Sequence, residues 1–229
     1  MQDISTTIWL SLKVATAATL FDLPLAVLFG YILARKKFVG KLIFDVFINL
    51  PIVIPPIVTG YFLLVIFNPS KGLGKLIFDL TGFSLPFTWF AAALAAGIVA
   101  LPLCVRAVRV AIENIDPGLE EAARVLGASR WQVFMRVTFP LARNGVVAGL
   151  VLGFARCLGE FGATIMVAGS IPGETQTIPL AIFSLVNQTG QDVAIAVLLI
   201  ISVLLAAASL IISEILVRKW RKNVDEAYA

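Results

Sequence analysis

The sequence predicts an all-α fold, a polytopic bundle of five transmembrane helices forming one domain over residues 1–229. Three observations carry that prediction. The chain is 59% hydrophobic and only 14% charged, where soluble domains carry roughly 25% charged residues, and its mean hydropathy is +0.97. Several apolar runs reach the roughly 20 residues that cross a bilayer as a helix. The basic residues are also placed asymmetrically. Of the 18 Lys and Arg, all but Lys13, Lys71, Lys75 and Arg156 fall within 35–41, 106–143 and 218–222. Five spans with the N-terminus outside put all three of those stretches on the cytoplasmic side, as the positive-inside rule requires.

The first span covers about 8–34. Residues 1–7 are polar, and Asp3 is the only charge before Lys13. A signal peptide would open on a basic region and carry a shorter apolar core, so this span is expected to be retained. Lys13, near the outer end, can snorkel. Asp22 lies deeper and must face protein or water. Arg35, Lys36, Lys37 and Lys41 mark a cytoplasmic turn.

The second span covers about 42–67 and contains Asn49, Pro51, Pro55 and Pro56. These prolines cannot all sit in a regular helix. Two readings follow: a kink accommodated by neighbouring helices, or a bent helix lining a path, since irregular backbone at membrane depth needs protein or water beside it. Residues 68–88 read as an external loop with a short helix over 73–80. Trp89 and Phe90 suit the interface and open the third span, about 89–110, which Arg106 and Arg109 close.

A hydrophilic stretch, 116–140, then interrupts the apolar runs and reads as a hairpin of two short helices. Asp116 can cap the first, with Pro117 at a position that needs no amide hydrogen. Glu120 and Glu121 lie in the first turn, where the helix dipole favours negative charge. Leu119, Ala122, Ala123 and Leu126 recur at helical spacing and predict one apolar face, with Glu121 on the polar side beside Arg124. Gly127 is a C-terminal stop. Ser129 with Gln132 makes a capping box for the second helix. Trp131, Phe134, Met135 and Thr138 are expected on one face of it, and Pro140 ends it or begins the next. Such a hairpin either covers its own membrane helices or docks a soluble partner.

The fourth span, about 143–168, holds Arg156 and Glu160, four residues apart at membrane depth. That spacing allows an intrahelical ion pair. Either the pair is buried for structural reasons, or one or both residues line or gate a translocation path, where an arginine would attract an anion. Gly153, Gly159 and Gly162 permit close packing. Residues 170–192 are polar, with a short amphipathic helix expected at the outer surface around Leu180, Phe183, Ser184 and Asn187. The fifth span covers about 193–217, and the basic run 218–222 anchors the cytoplasmic end.

Composition also limits the chemistry. The net charge of +4 sits beside apolar spans, which suits anionic lipid rather than nucleic acid. There is no histidine, and the only cysteines are Cys104 and Cys157, both in apolar context. No metal site, disulfide framework or histidine acid–base chemistry is expected. The nearest approach to a nucleotide loop, Gly74-Lys75-Leu76, lacks the earlier glycine and the hydroxyl, so any ATP would be bound by another chain. An ion-coupled secondary transporter is disfavoured because the intramembrane acids are few and the hairpin would have no role. An intramembrane enzyme is disfavoured because no reactive cluster shares one depth.

Glu121-Ala122-Ala123, with Gly127 four residues after Ala123, then Val137-Thr138-Phe139-Pro140, resembles the coupling loop of ATP-binding-cassette importer permeases. The departures, Val137 and Phe139 for Ile and Leu, are conservative. Gly159-Glu160-Phe161-Gly162-Ala163-Thr164, followed by Ile171-Pro172-Gly173-Glu174-Thr175-Gln176-Thr177-Ile178-Pro179, is similar to the molybdate and tungstate branch, with sulfate permeases sharing part of it. The resemblance implies a type I importer permease fold in a prokaryotic plasma membrane and no catalytic role for this chain. It implies a homodimer, two cytoplasmic ATPase subunits that hold ATP and magnesium, and an external oxyanion-binding protein. It makes Glu121, Ala122, Ala123, Gly127 and Pro140 the expected ATPase-coupling residues. Pro51, Pro55, Pro56, Arg156 and Glu160 are the candidates for the path or gate.

Overall fold

The computed structural model describes residues 4–228, and the side chains of all of these except 213 and 216–228. In order, the helices are α1 (Ile4–Arg35), α2 (Lys41–Val53), α3 (Pro56–Ile66), α4 (Gly72–Thr81), α5 (Trp89–Glu113), α6 (Pro117–Val125) and α7 (Arg130–Val133). A π-helical turn (Phe134–Thr138) follows, then α8 (Phe139–Leu158), α9 (Gly162–Ala168), α10 (Ile178–Val186) and α11 (Asp192–Tyr228). Among the described residues four helices are long and apolar enough to cross a membrane, and α2 with α3 makes a fifth if that bent pair is one span.

The centre is α5, packed against α1, α8 and α9. Thr88 starts it, its Oγ1 accepting the Ala91 N–H at 3.1 Å. The first half of its buried face is mostly alanine: Ala91, Ala92, Ala93, Ala95, Ala96 and Ala100. Small residues let backbones approach closely where packing rather than water exclusion holds helices together. The facing stripe on α8 is Gly145, Gly149 and Gly153. A Cβ at Gly149 would lie 3.3 Å from the Cys104 carbonyl, and one at Gly153 would overlap Cys104 Sγ. Both cysteines are free and buried. Asp22 is 1% exposed, and Gly97 leaves room for its carboxylate. Lys13 sits over the Trp89 ring, 3.7 Å from its centroid, so the two interfacial residues pair as a cation–π contact.

Four expectations need correction. The second span is not one kinked helix, because α2 and α3 meet at 108°. Pro51 is tolerated inside α2. The break is made by Pro55 and Pro56, each of which forces its predecessor out of the helical region. Ile54 has ψ 135° and Pro55 has ψ 131°. The fourth span is not 143–168 either. It runs Arg130–Leu158, with Pro140 in the first turn of α8, one of its two expected places, and the chain breaks at Gly159.

The third correction concerns 170–192. The expected short amphipathic helix is present as α10, with Phe183 and Asn187 on its exposed side; what differs is that the polar run before it is not on the surface. Leu180 and Ala181 are fully buried, as are Thr175, Gln176 and Thr177, and the Ile178 N–H donates to Ser11 Oγ of α1 at 2.7 Å. Fourth, Thr138 does not share a face with Trp131 and Met135. It is fully buried while those two are exposed, because the π turn rotates the helix after Phe134. The short helix expected over 73–80 is α4. The side chains of the basic run 218–222 and residues 1–3 lie outside the described residues.

Candidate functional site

Two places carry unusual geometry: a junction where two broken helices cross, and the hairpin. At the junction α3 packs on α9. The packing is glycine against backbone. A Cβ at Gly162 would stand 3.0 Å from Pro56 Cβ and 3.2 Å from the Ile57 nitrogen. One at Gly60 would overlap the Ala163 carbonyl and lie 2.8 Å from Met166 Cβ. The structure therefore brings Pro55 and Pro56 together with the Gly159–Gly162 break.

Interrupting a helix at this depth frees backbone groups that lipid cannot satisfy. Glu160 and Thr164 satisfy some of them. Glu160 Oε1 accepts the Ala163 N–H at 2.8 Å, and Thr164 Oγ1 donates to the Glu160 carbonyl at 3.2 Å. Glu160 Oε2 pairs with Arg156 Nη1 at 2.7 Å. The two partners differ in exposure: the Glu160 side chain is 2% exposed and that of Arg156 33%. The carboxylate is thus fixed inside, serving the start of α9, while the guanidinium retains further donors on a partly open side. The Phe161 and Phe183 rings, 5.1 Å apart, tie the break to α10.

The hairpin folds as its turn chemistry dictates. Asp116 Oδ1 accepts the Gly118 N–H at 2.8 Å, and Gly127 takes φ +88°. The Gly127 N–H donates to the Arg124 carbonyl at 2.9 Å and the Ala128 N–H to the Ala123 carbonyl at 3.0 Å, the paired bonds of a Schellman stop. Ser129 and Gln132 form the reciprocal capping box.

The orientation of α6 is the informative point. Of its three charged residues Glu120 faces the bundle and is 3% exposed, whereas Leu119, Val125 and Leu126 face out at 47%, 86% and 87%, beside exposed Glu121 and Arg124. An amphipathic surface helix ordinarily turns its apolar stripe to the core; α6 does the reverse. Glu121 and Ala122 also lie on the exposed side, Ala123 is half-buried at the edge of the stripe, and Pro140 is exposed.

Several residues of these sites escaped sequence reasoning. Glu120 was legible only as a first-turn acid, yet it pairs with Arg35 Nε at 3.0 Å and accepts from Thr138 Oγ1 at 2.8 Å. Helical phase did not single it out, since Glu121 and Arg124 lie as far from the stripe of Leu119, Ala122 and Leu126 and are exposed. Gly60 had no signal beyond being a glycine in a span. The Arg109–Asp45 pair at 2.8 Å, joining α5 to α2, joins residues 64 positions apart.

Residues 26–222 match the family described as binding-protein-dependent transport system inner membrane component. The chain belongs to that family. Among its relatives, this permease is 48% identical over 217 residues to the molybdenum transport system permease protein ModB of Haemophilus influenzae, covering 95% of each chain. It is 48% identical to ModB of Escherichia coli K12, covering 93% of each. The Escherichia coli K12 sulfate transport system permease protein CysT is 36% identical, over 88% of this chain and 71% of that one. In fold the permease is similar to a solved bacterial ABC transporter involved in import of the acidic polysaccharide alginate. That match has a TM-score of 0.75 at 20% identity and covers 96% of this chain and 80% of that one. An inward-facing structure of the MetNI methionine ABC transporter gives 0.70 at 20% identity, covering 93% and 94%. The type I importer permease fold, and the all-helical bundle read from composition, are those of this chain.

Proposed function

We propose that this permease forms the membrane path of an ATP-driven importer for molybdate. It works as a homodimer with two cytoplasmic ATPase subunits, which take ATP and magnesium, and with an extracytoplasmic oxyanion-binding protein. In this reading the N-terminus is outside and the C-terminus cytoplasmic. The observation that carries it is the inverted α6: a well-capped helix offering Leu119, Val125 and Leu126 to a partner while a buried carboxylate holds it to the bundle. Glu121, Ala122, Ala123 and Gly127 lie on or beside that surface, and Pro140 begins the helix that carries the contact into the membrane. Covering one such Leu is worth about 1.5–3 kcal/mol, enough for a few side chains to dominate an interface.

The junction of α3 with α9 is the proposed gate region. Pro55 and Pro56 shape one wall, and Pro51 lies one turn before them in α2. Arg156 offers the oxyanion a cation tempered by Glu160, which keeps binding weak enough for release. Molybdate is favoured over sulfate by the 48% identity to ModB against 36% to CysT. Reconstituting the assembly in proteoliposomes and following ATP-dependent uptake of molybdate, tungstate and sulfate tests the reading. Molybdate uptake that sulfate does not compete away is expected; saturable sulfate uptake without molybdate uptake would favour the sulfate reading instead.

A further inference from the structure

We infer that Glu120, clamped by Arg35 and Thr138, is the positioning residue through which movement of the hairpin reaches the membrane helices. The inference rests on the reading of α6 as the ATPase contact and adds the element that makes such a contact mechanically useful. A helix that docks a partner transmits motion only if its other face is fixed to what must move.

The fixation of α6 itself is concentrated on one carboxylate, while a Tyr31–Phe134 ring contact at 5.0 Å ties the π turn to α1. α6 packs on α7 and the π turn, both parts of the same hairpin. Its tie to α1 is the Arg35 Nε–Glu120 Oε1 pair at 3.0 Å. The same arginine donates from Nη2 to the Ile115 carbonyl at 2.9 Å, so it holds both the connecting segment and α6. Thr138 Oγ1 donates to Glu120 Oε1 at 2.8 Å, and Thr138 begins the unbroken run into α8. Arg124 Nη2 approaches Oε2 at 3.6 Å, but its side chain is 53% exposed and it belongs to α6 itself. One buried carboxylate therefore joins the end of α1, α6 and the start of α8.

The π turn is what permits this. The Phe139 N–H bonds to the Phe134 carbonyl, five residues back, and the widened turn carries Thr138 inward, away from Trp131 and Met135. π turns of this kind occur frequently at functional positions. Desolvation gives the clamp its stiffness. With Thr138 fully buried and Glu120 3% exposed, parting them leaves a buried carboxylate and hydroxyl poorly paired, while the Arg35 side of the clamp opens on a cavity also lined by Lys36, Lys37 and Arg124. Tilting α6 then drags α1 and α8 rather than sliding over them. Those two helices carry the rest of the bundle: α1 lies along α5, and α8 carries Arg156 in its last turn and ends at Leu158 beside the α9 break.

The test uses the complete transporter in proteoliposomes and reads three quantities for each variant: ATPase retained on the tagged permease, ATP hydrolysed, and molybdate taken up per ATP. For Glu120→Ala and Thr138→Val, ATPase retention is expected to stay within about twofold of wild type, while uptake per ATP falls by about tenfold for Glu120→Ala and less for Thr138→Val, in the range of ordinary coupling. Arg35→Lys, which keeps the charge, should recover more uptake per ATP than Arg35→Ala. Thr138→Val removes a single hydroxyl at nearly constant volume and serves if Glu120→Ala gives too little protein. Unchanged uptake per ATP in both variants would overturn the inference. So would a loss of retention in step with uptake, which would make Glu120 part of the docking surface. Leu126→Asp separates the two claims: if it retains the ATPase, the docking reading fails, whatever Glu120 does.

Discussion

The Arg156–Glu160 pair gives the sharpest energetic prediction, because the structure assigns its carboxylate two separate tasks. Oε2 holds Arg156 at 2.7 Å and Oε1 accepts the Ala163 N–H at 2.8 Å. Arg156→Ala strands a carboxylate that is 2% exposed. Breaking a fully buried pair costs about 3–5 kcal/mol. One hydrogen bond survives and the arginine is one-third exposed, so the expected loss is about 2 kcal/mol. Adding Glu160→Gln removes the stranded charge but leaves an amide oxygen for Ala163, so Arg156→Ala/Glu160→Gln should lie within about 1 kcal/mol of wild type. Arg156→Ala/Glu160→Ala also removes the acceptor at the start of α9 and should lose about 1 kcal/mol more than the Gln double variant. Thermal unfolding of the detergent-purified permease reads the order: wild type, Ala/Gln, then Ala/Ala and Arg156→Ala below them. If Ala/Gln proves no more stable than Arg156→Ala, the stranded-charge argument is wrong. Uptake is a separate readout, and a stable Ala/Gln variant with normal uptake would remove Arg156 from the path.

Three further outcomes follow from the geometry. Leu126→Asp and Gly127→Val should insert and dimerise normally but lose the ATPase on co-purification. The first puts charge on the outward stripe, and the second strains a left-handed turn by about 1–2 kcal/mol; normal retention in both would show that α6 is not the contact. Gly60→Val should drive α3 off the Ala163 carbonyl, an overpacking loss of about 1–3 kcal/mol, read as a fall in unfolding temperature that Gly159→Ala, where φ is −91° and a Cβ would meet nothing closer than 4.0 Å, does not share. Single cysteines at Ser5 and Asn223, with Cys104 and Cys157 replaced, should be labelled by an impermeant reagent on intact cells at Ser5 alone; the reverse pattern would invert the topology.

Much of this protein is determined by its sequence alone. A chain this apolar has nowhere to bury its spans but lipid, and lipid demands helices, because hydrocarbon offers the backbone no hydrogen-bond partners. Helix starts and stops are equally local. Asp116, Gly127, Ser129 with Gln132, and Thr88 each act on groups within five residues, so their chemistry is readable in one dimension. The broken second span was half legible: the prolines announced irregular backbone, but the 108° angle comes from α3 lying against α9, where Gly60 and Gly162 admit backbone contact. What only the tertiary structure decided is which face each helix turns inward. Periodicity defines the stripe of Leu119, Ala122 and Leu126 without saying whether it meets core or partner, and the answer lies with Arg35, 85 residues from Glu120, and with Thr138, swung inward by a π turn that no residue pattern announces. The burial of 175–181 has the same origin. A polar run reads as surface until Ser11 of α1 and its own turn satisfy its backbone, and such partners exist only once the chain has folded.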